Sequence, residues 1–210
     1  MSVWTALVSF AVVAGLLTIV PGLDTALVLR SAIVRGTRIA FATALGVGSG
    51  LLVWGIAATC GLSMLLTTSQ VAYTVLRIAG AIYLVWLGVA SLVTLWRSGG
   101  SQVAEATVPD GSVLRAWVRG ATSNLLNPKV GVFYIAMLPQ FIPPQAPHLL
   151  MGTALTLVHF VEGLLWCTAL IGGVRFARAW LDRRSVKRWM EGVTGSVLLA
   201  LGLKLAFDPS

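Results

Sequence analysis

Long apolar runs separated by short polar segments dominate the pattern of this chain. A transmembrane helix needs about 20 predominantly apolar residues, and six windows of the sequence meet that requirement. They are Val3–Leu29, Ile39–Leu66, Val71–Trp96, Ala116–Phe141, Leu149–Ala177 and Trp189–Phe207. The fourth is interrupted in its first half by Arg119, Asn124, Asn127 and Lys129. The pattern predicts an all-α membrane protein with six transmembrane helices.

Composition supports the membrane class. The chain is 57% hydrophobic and 10% charged, with a mean hydropathy of +0.89, whereas soluble domains are roughly a quarter charged. The net charge is +8, but the basic residues fall in short clusters between apolar runs. We therefore interpret the charge as membrane topology and expect no nucleic-acid partner. Cys60 and Cys167 lie within apolar runs, where packing is a better explanation than a disulfide or a metal site.

Basic residues concentrate at alternate connections between the spans. Those of the first, third and fifth connections are Arg30, Arg35, Arg38, Arg97, Arg115, Arg119, Arg175, Arg178, Arg183, Arg184, Lys187 and Arg188. The N-terminus and the fourth connection carry none, and the second has only Arg77, several residues into the next span. Because cytoplasmic loops are enriched in Lys and Arg, both termini are predicted to lie outside. The apolar start of the chain also lacks the features of a cleavable targeting segment.

The two halves of the chain resemble each other in order. The matching features are Pro21 with Pro128, Gly50–Trp54 with Gly163–Trp166, Arg77 with Arg188, and Gly88 with Gly202. The alternative is chance similarity between apolar strings. With three spans each, the halves predict an inverted repeat, as in many secondary transporters. We expect residues 1–97 to form the first repeat, 98–114 a cytoplasmic linker and 115–210 the second repeat.

The stretch TIVPGLD, which ends at Asp24, places an acid just after a helix breaker inside the first span. Pro21 lacks a backbone N–H and is expected to break the helix, and Gly22 allows a ligand or another backbone to approach closely. Asp24 would then lie in the first turn of the next half-helix, where the dipole favours a carboxylate. An acid within the membrane usually faces a cavity or a partner. The alternative role is a capping residue at a kink.

The stretch SNLLNPKVG repeats this arrangement in the fourth span with the opposite charge. Pro128 is expected to break the helix, and Lys129 follows it. A lysine in the first turn of a half-helix opposes the dipole, so Asp24 or a substrate carboxylate is expected to compensate. The alternative is a lysine that extends to the cytoplasmic surface.

Two further features fall within apolar spans. His159 and Glu162 are three residues apart and share a helix face; they suggest either a proton relay or a buried hydrogen-bonded pair. With Asp24 they could form a cation site, although no spacing specifies a metal. Gly46 and Gly50 have GxxxG spacing, for which helix packing is favoured over phosphate binding.

Several motifs together resemble the LysE/RhtB family of bacterial amino-acid exporters. They are PGLD at Pro21–Asp24, GAIYLVWLG ending at Gly88, NPK at Asn127–Lys129 and LPQFIPP from Leu138. The usual family pattern in the first span is PGPD, so Leu23 replaces a proline here and puts the geometry of the break in question. The resemblance implies export of amino acids or their derivatives, generally coupled to the ion gradient. It directs attention to the residues Pro21, Gly22, Asp24, Asn127, Pro128 and Lys129.

These observations combine into one functional hypothesis. The chain is expected to be a secondary transporter in the bacterial inner membrane that exports amino acids or related small metabolites, with no cofactor and no enzymatic activity. Asp24 would bind the substrate ammonium and Lys129 its carboxylate, and in the empty state the two side chains would pair. Proton binding at Asp24 or Glu162 would reset the site. Membrane lipid and a possible homodimer are the other expected partners. The alternative is a cation or metal-ion exporter on the same scaffold.

Overall fold

The computed structural model describes residues 2–20, 22–68, 70–97, 112–174 and 184–207. These residues are helical throughout apart from short connections, which confirms the all-α class. The helices are α1 (Val3–Ile19), α2 (Leu23–Arg35), α3 (Thr37–Thr68), α4 (Gln70–Arg97), α5 (Val113–Leu125), α6 (Pro128–Met137), α7 (His148–Gly172) and α8 (Arg184–Phe207). A 3₁₀ turn, Leu138–Phe141, follows α6. Pro21 and residues 98–111 of the expected linker lie outside the described residues.

Two of the six predicted spans contain, within the described residues, a helix long and apolar enough to cross a membrane: Thr37–Gly61 in α3 and His148–Gly172 in α7. The number rises to three if α1 and α2, which are bent by 55° at their break, form one span. The other three predicted spans fall on α4, on α5 with α6, and on α8. Apolar side chains such as Val12, Leu157 and Leu165 are exposed on the outer surface, as lipid contact requires. Six crossings remain a prediction.

Two helix breaks occur where the sequence predicts them. The first separates α1, which ends at Ile19, from α2, which begins at Leu23. Gly22 is the extended N-cap of α2, and Leu23 occupies its first helical position, the place that suits proline best. The Leu23 side chain is 70% exposed. The break therefore persists in this chain even though Leu23 replaces the usual proline.

The second break confirms the prediction at Pro128. Helix α5 ends at Leu125, and α6 begins at Pro128 with Asn127 as its N-cap. Proline fits the first helical position because its missing N–H would be unsatisfied there in any case. The Asn127 side chain accepts a hydrogen bond from the Lys129 backbone N–H at 3.1 Å, which satisfies another free donor at the start of α6.

Close helix packing at small residues confirms the structural interpretation of the GxxxG spacing. Helix α3 packs along α5, and a Cβ atom at Gly46 would overlap the carbonyl of Trp117. A Cβ atom at Gly50 would approach the Asn124 side chain to 2.9 Å. The contact is reciprocal, because a Cβ atom at Gly120 of α5 would overlap the Thr43 carbonyl of α3. The glycines thus let two backbones approach closely, as in GxxxG contacts between membrane helices.

Replacing Gly46 with leucine is expected to destabilise the protein by about 1–3 kcal/mol or more, because a backbone carbonyl blocks the new side chain. The measurement is the thermal unfolding of the purified protein in detergent. Gly61→Leu is the matched control, since Gly61 also lies in α3 but nothing lies within 4 Å of its Cβ position. Equal melting temperatures for the two variants would show that the α3–α5 contact is looser than described.

Candidate functional site

A cavity of about 90 Å³ lies beside the two helix breaks, with α3 and α7 forming its other walls. This is several times the roughly 10–15 Å³ that one water needs. The broken helices and their breaks contribute six lining residues with polar or charged side chains: Thr18, Asp24, Thr25, Asn124, Asn127 and Lys129. The opposite walls are largely apolar and include Leu51, Phe160 and Leu164. Among the described residues, the charged side chains therefore all come from the broken helices, and the α3 and α7 walls are mainly apolar.

Three hydrogen bonds from the second break hold the Asp24 carboxylate. Ser123 Oγ donates to Oδ1 at 2.7 Å. Asn124 Nδ2 and Asn127 Nδ2 both donate to Oδ2, at 2.9 and 3.0 Å. The two oxygens of a carboxylate accept about four hydrogen bonds in total. Oδ1 therefore keeps one acceptor position for a ligand.

The location of Asp24 suits a negative charge. It is the second residue of α2, so it lies in the first turn, where free N–H groups and the helix dipole favour an anion. The side chain is half-buried and lines the cavity. Asp24 therefore combines a hydrogen-bonded carboxylate with access to the cavity.

Asn127 connects the two broken helices through both ends of its amide. Its Oδ1 caps α6 by accepting from the Lys129 N–H, and its Nδ2 donates to Asp24. Because Oδ1 must face the N–H, the orientation of the amide is fixed and the donor points at the carboxylate. Asn127 is therefore a positioning residue for Asp24.

If the site serves the transport hypothesised from the sequence, replacing Asn127 with aspartate is expected to reduce the transport rate about tenfold, the effect of one lost hydrogen bond to an ionised group, without loss of the helix cap. Aspartate caps as well as asparagine, but it cannot donate to Asp24 and adds a like charge beside it. Asn127→Ala loses both the cap and the donor and should additionally lower the melting temperature. The measurements are transport rate and thermal unfolding for the two variants. Wild-type transport in Asn127→Asp would exclude the positioning role.

Lys129 directs its ammonium to the end of α1. Nζ donates to the Leu17 carbonyl in a long hydrogen bond of 3.5 Å. Leu17 lies in the last turn of α1, where carbonyls lack helical partners and the dipole is negative. The sequence predicted that an anion would compensate the positive charge of Lys129. Part of that compensation comes instead from the negative end of the α1 dipole. The side chain is partly buried and lines the cavity.

Asp24 and Lys129 share the cavity without direct contact. Their charges attract each other, but the structure records no ion pair within 4 Å between these two described residues. Asp24 is occupied by amide and hydroxyl donors, and Lys129 by the Leu17 carbonyl. The side chains therefore present opposite charges to the cavity from separate anchors, whereas the sequence had suggested a direct pair.

A buried aromatic cluster surrounds His159, which lines the cavity. The Tyr134 hydroxyl and His159 Nδ1 share a hydrogen bond of 3.1 Å, and the two rings stack with centroids 5.7 Å apart. Phe10 packs against Phe133 and Phe141 at centroid distances of 5.9 and 5.4 Å, and both Phe10 and Phe133 contact His159 edge-on. His159 is thus a buried, hydrogen-bonded histidine, but its partner is Tyr134 and not Glu162, with which the sequence had suggested a pair.

Glu162 lies apart from the other candidate residues. Its carboxyl faces Gly15 of α1, and Oε2 is buried without a hydrogen-bond partner in the described part of the chain. It does not line the cavity that contains Asp24 and Lys129. In residues 2–20, 22–68, 70–97, 112–174 and 184–207, no three His, Cys, Asp or Glu side chains come together as a metal site.

Two partners of Asp24 were not assigned from the sequence. Ser123 and Asn124 precede the break at Asn127 and turn towards α2. The sequence signal for Asn124 is that it interrupts an apolar span, where a polar side chain needs a hydrogen-bond partner. The structure shows that Asn124 is almost fully buried. Sequence alone did not indicate which group they would bind.

Apolar helices, paired helix breaks and a cavity that carries both charges beside the breaks are features typical of membrane proteins that move small solutes. The family of LysE type translocators matches residues 16–208. The chain belongs to this LysE family.

Similar proteins extend this assignment. The chain is 28% identical over 207 residues to the uncharacterized membrane protein YrhP of Bacillus subtilis, covering 94% of this chain and 97% of that protein. It is 30% identical to a homoserine/homoserine lactone efflux protein of Salmonella typhimurium, with 91% of each chain covered. It is 33% identical to a leucine efflux protein of the same species, covering 75% of this chain and 73% of the relative. No solved structure shows significant similarity.

Proposed function

We propose that the protein exports amino acids or related small metabolites across the bacterial inner membrane and catalyses no chemical reaction. The observation that carries this proposal is the cavity in which Asp24 and Lys129 present opposite charges beside two helix breaks. Membership of the LysE family supports it. So do the names of the relatives, which are efflux proteins for homoserine and for leucine.

The two charges fit the two ends of a zwitterion. The substrate ammonium would use the free acceptor position on Asp24 Oδ1. The substrate carboxylate would bind Lys129, whose bond to Leu17 is long and leaves other N–H groups available. Because both partners are held by neighbouring backbone and side chains, little ordering is needed when the substrate enters.

The arrangement of helices supports an inverted repeat and alternating access. The breaks after α1 and after α5 occupy corresponding positions in the two halves, α3 packs against α7, and α4 packs against α8. We propose that residues 1–97 and 115–210 form the two repeats, that both termini lie outside, and that the halves rock about the cavity. In this orientation the buried aromatic cluster around His159, which includes Phe10 of α1, would lie on the outer side of the cavity.

Coupling to the proton gradient completes the proposal. Asp24 lies in the substrate cavity, so its protonation would release the substrate ammonium. Glu162 has a buried oxygen without a partner, which makes it the second candidate acid. An assembly into homodimers would leave this mechanism unchanged, because every proposed binding group comes from one chain.

The proposal is tested in cells loaded with dipeptides, whose hydrolysis raises cytoplasmic amino acids. Amino acids that accumulate outside are measured with and without the protein, and a variant that lacks both charges, Asp24→Asn with Lys129→Gln, is the control. We expect faster external accumulation of at least one amino acid, and no acceleration by the double variant.

Two results would contradict this function. One is an unchanged export rate for every amino acid tested while the protein is present in the membrane. The other is altered metal tolerance in the same cells, which would support the cation exporter instead.

A further inference from the structure

We infer that Gly163 sets the largest side chain that the exported substrate can carry, and that this side chain is uncharged. The inference rests on the proposed function and concerns the same cavity. Gly163 lies in the wall formed by α7, and no role in binding was expected for it from the sequence.

Gly163 lies at the centre of the α7 face that lines the cavity. His159, Gly163 and Cys167 are four residues apart, so they form one stripe along the helix, and all three line the cavity. The stripe extends about 12 Å along the helix axis. Gly163 is thus one helical turn away from each end.

The two ends of this stripe lie against the two helices that carry the charges. His159 shares a hydrogen bond with Tyr134 of α6, the helix that begins beside Lys129, and Cys167 packs in one apolar cluster with Val28 of α2, one turn after Asp24. A zwitterion bound to both charges would therefore place its central carbon near the level of Gly163. The substrate side chain leaves from that carbon, so the space in front of Gly163 is where it would fit.

That space is open, unlike the space at the packed glycines. Nothing lies within 4 Å of a Cβ atom built on Gly163. At Gly48, in the opposite wall, a Cβ atom would overlap the ring of Phe160, and at Gly152 it would meet Thr59. A glycine inside a helix is less favourable than alanine by about 1 kcal/mol. At Gly163 no neighbouring group requires that absence of a side chain, so the space is available to a ligand.

The surroundings of this space favour an uncharged side chain. Val47, Leu51, Phe160 and Leu164 contribute apolar surface to the cavity. Asp24 and Lys129 are the charged residues among the described residues that line it, and both are assigned to the zwitterion. A third charge on the substrate would be buried without a partner, which is costly.

The test varies both the side chain of the exported amino acid and the side chain at position 163. Cells loaded with dipeptides of alanine, valine, leucine, phenylalanine or lysine express the wild type, Gly163→Ala, Gly163→Leu or the control Gly61→Leu. The control adds the same side chain to a helix at a site with nothing within 4 Å and outside the cavity. Membrane levels of each variant are measured in the same cells.

We expect Gly163→Leu to reduce leucine export at least tenfold relative to alanine export, because its side chain occupies the substrate space. Gly163→Ala should lower the same ratio by about threefold, and Gly61→Leu should leave it unchanged. The wild type should not accelerate lysine export. If Gly163→Leu does not accumulate in the membrane, the size limit is tested by the ratio of leucine export to alanine export in Gly163→Ala.

The outcomes separate this inference from the proposed function. Export of no amino acid by the wild type would contradict the function itself. Normal export with an unchanged leucine-to-alanine ratio in the Gly163 variants would contradict the size limit alone. Equal loss of alanine and leucine export at normal membrane levels would also contradict it, and lysine export by the wild type would overturn the uncharged class.

Discussion

Replacing Asp24 with asparagine should reduce amino-acid export at least about tenfold while the protein remains folded. The loss follows from the missing charge, because a hydrogen bond to an ionised group contributes about 1.5–3 kcal/mol and each 1.4 kcal/mol is a factor of ten in affinity. The measurement is the initial rate of export at matched membrane levels.

The surroundings of Asp24 can accept asparagine without rearrangement. The new carbonyl oxygen can take the place of Oδ2, which accepts from Asn124 and Asn127. The new amide group then faces Ser123, whose hydroxyl can accept as well as donate. The substitution therefore removes the charge but keeps the link between the broken helices. An unchanged melting temperature would verify this point.

Glu162→Gln makes the same chemical change at a half-buried acid outside the cavity, so it is the matched control for substrate exchange without an ion gradient, in which Asp24→Asn is also measured. It should keep substrate exchange in the absence of a gradient. If Glu162 is the coupling acid, only export driven by a proton gradient will fall. Export at the wild-type rate by Asp24→Asn would show that the charge of Asp24 is not used.

Replacing Lys129 with glutamine should remove the preference for substrates that carry a carboxylate. Glutamine keeps N–H donors for the Leu17 carbonyl but carries no charge. We expect the apparent affinity for leucine to fall at least about tenfold, on the same energetic basis as for Asp24. The affinity for leucinamide, which lacks the carboxylate, should change little.

The comparison of the two ligands distinguishes binding from a general defect. Each ligand is tested as a competitor of transport by the wild type and by Lys129→Gln, in the manner of a double-mutant cycle. Equal weakening of leucine and leucinamide would mean that Lys129 only supports the structure. A wild-type preference for leucine in Lys129→Gln would exclude contact between Lys129 and the carboxylate.

Local sequence features predict much of this fold. The apolar runs predict helices, and Pro128 predicts the second break because its effect on the backbone is local. Gly46 and Gly50 predict a close contact because their spacing places both on one helix face. The family resemblance, carried by several ordered motifs, is confirmed over residues 16–208.

The detailed contacts of the site depend on packing between distant segments, which these patterns do not encode. The hydrogen bond between Ser123 and Asp24 joins residues 99 positions apart, and that between Lys129 and Leu17 joins residues 112 apart. An Asp24–Lys129 pair was expected because opposite charges were the evident partners. The carbonyl at the end of α1 is present in every helix, so it gives no sequence signal. The open space at Gly163 likewise appears only when the neighbouring helices are in place.

Substrate exchange in vesicles tests the central claim most directly. The purified protein is reconstituted into liposomes loaded with an unlabelled amino acid, and uptake of the same labelled amino acid is followed without any ion gradient. We expect transient accumulation of label with the wild type for at least one uncharged amino acid, and none with the Asp24→Asn, Lys129→Gln double variant. Absence of exchange for every amino acid with folded wild-type protein, or equal exchange by the double variant, would contradict a zwitterion site between Asp24 and Lys129.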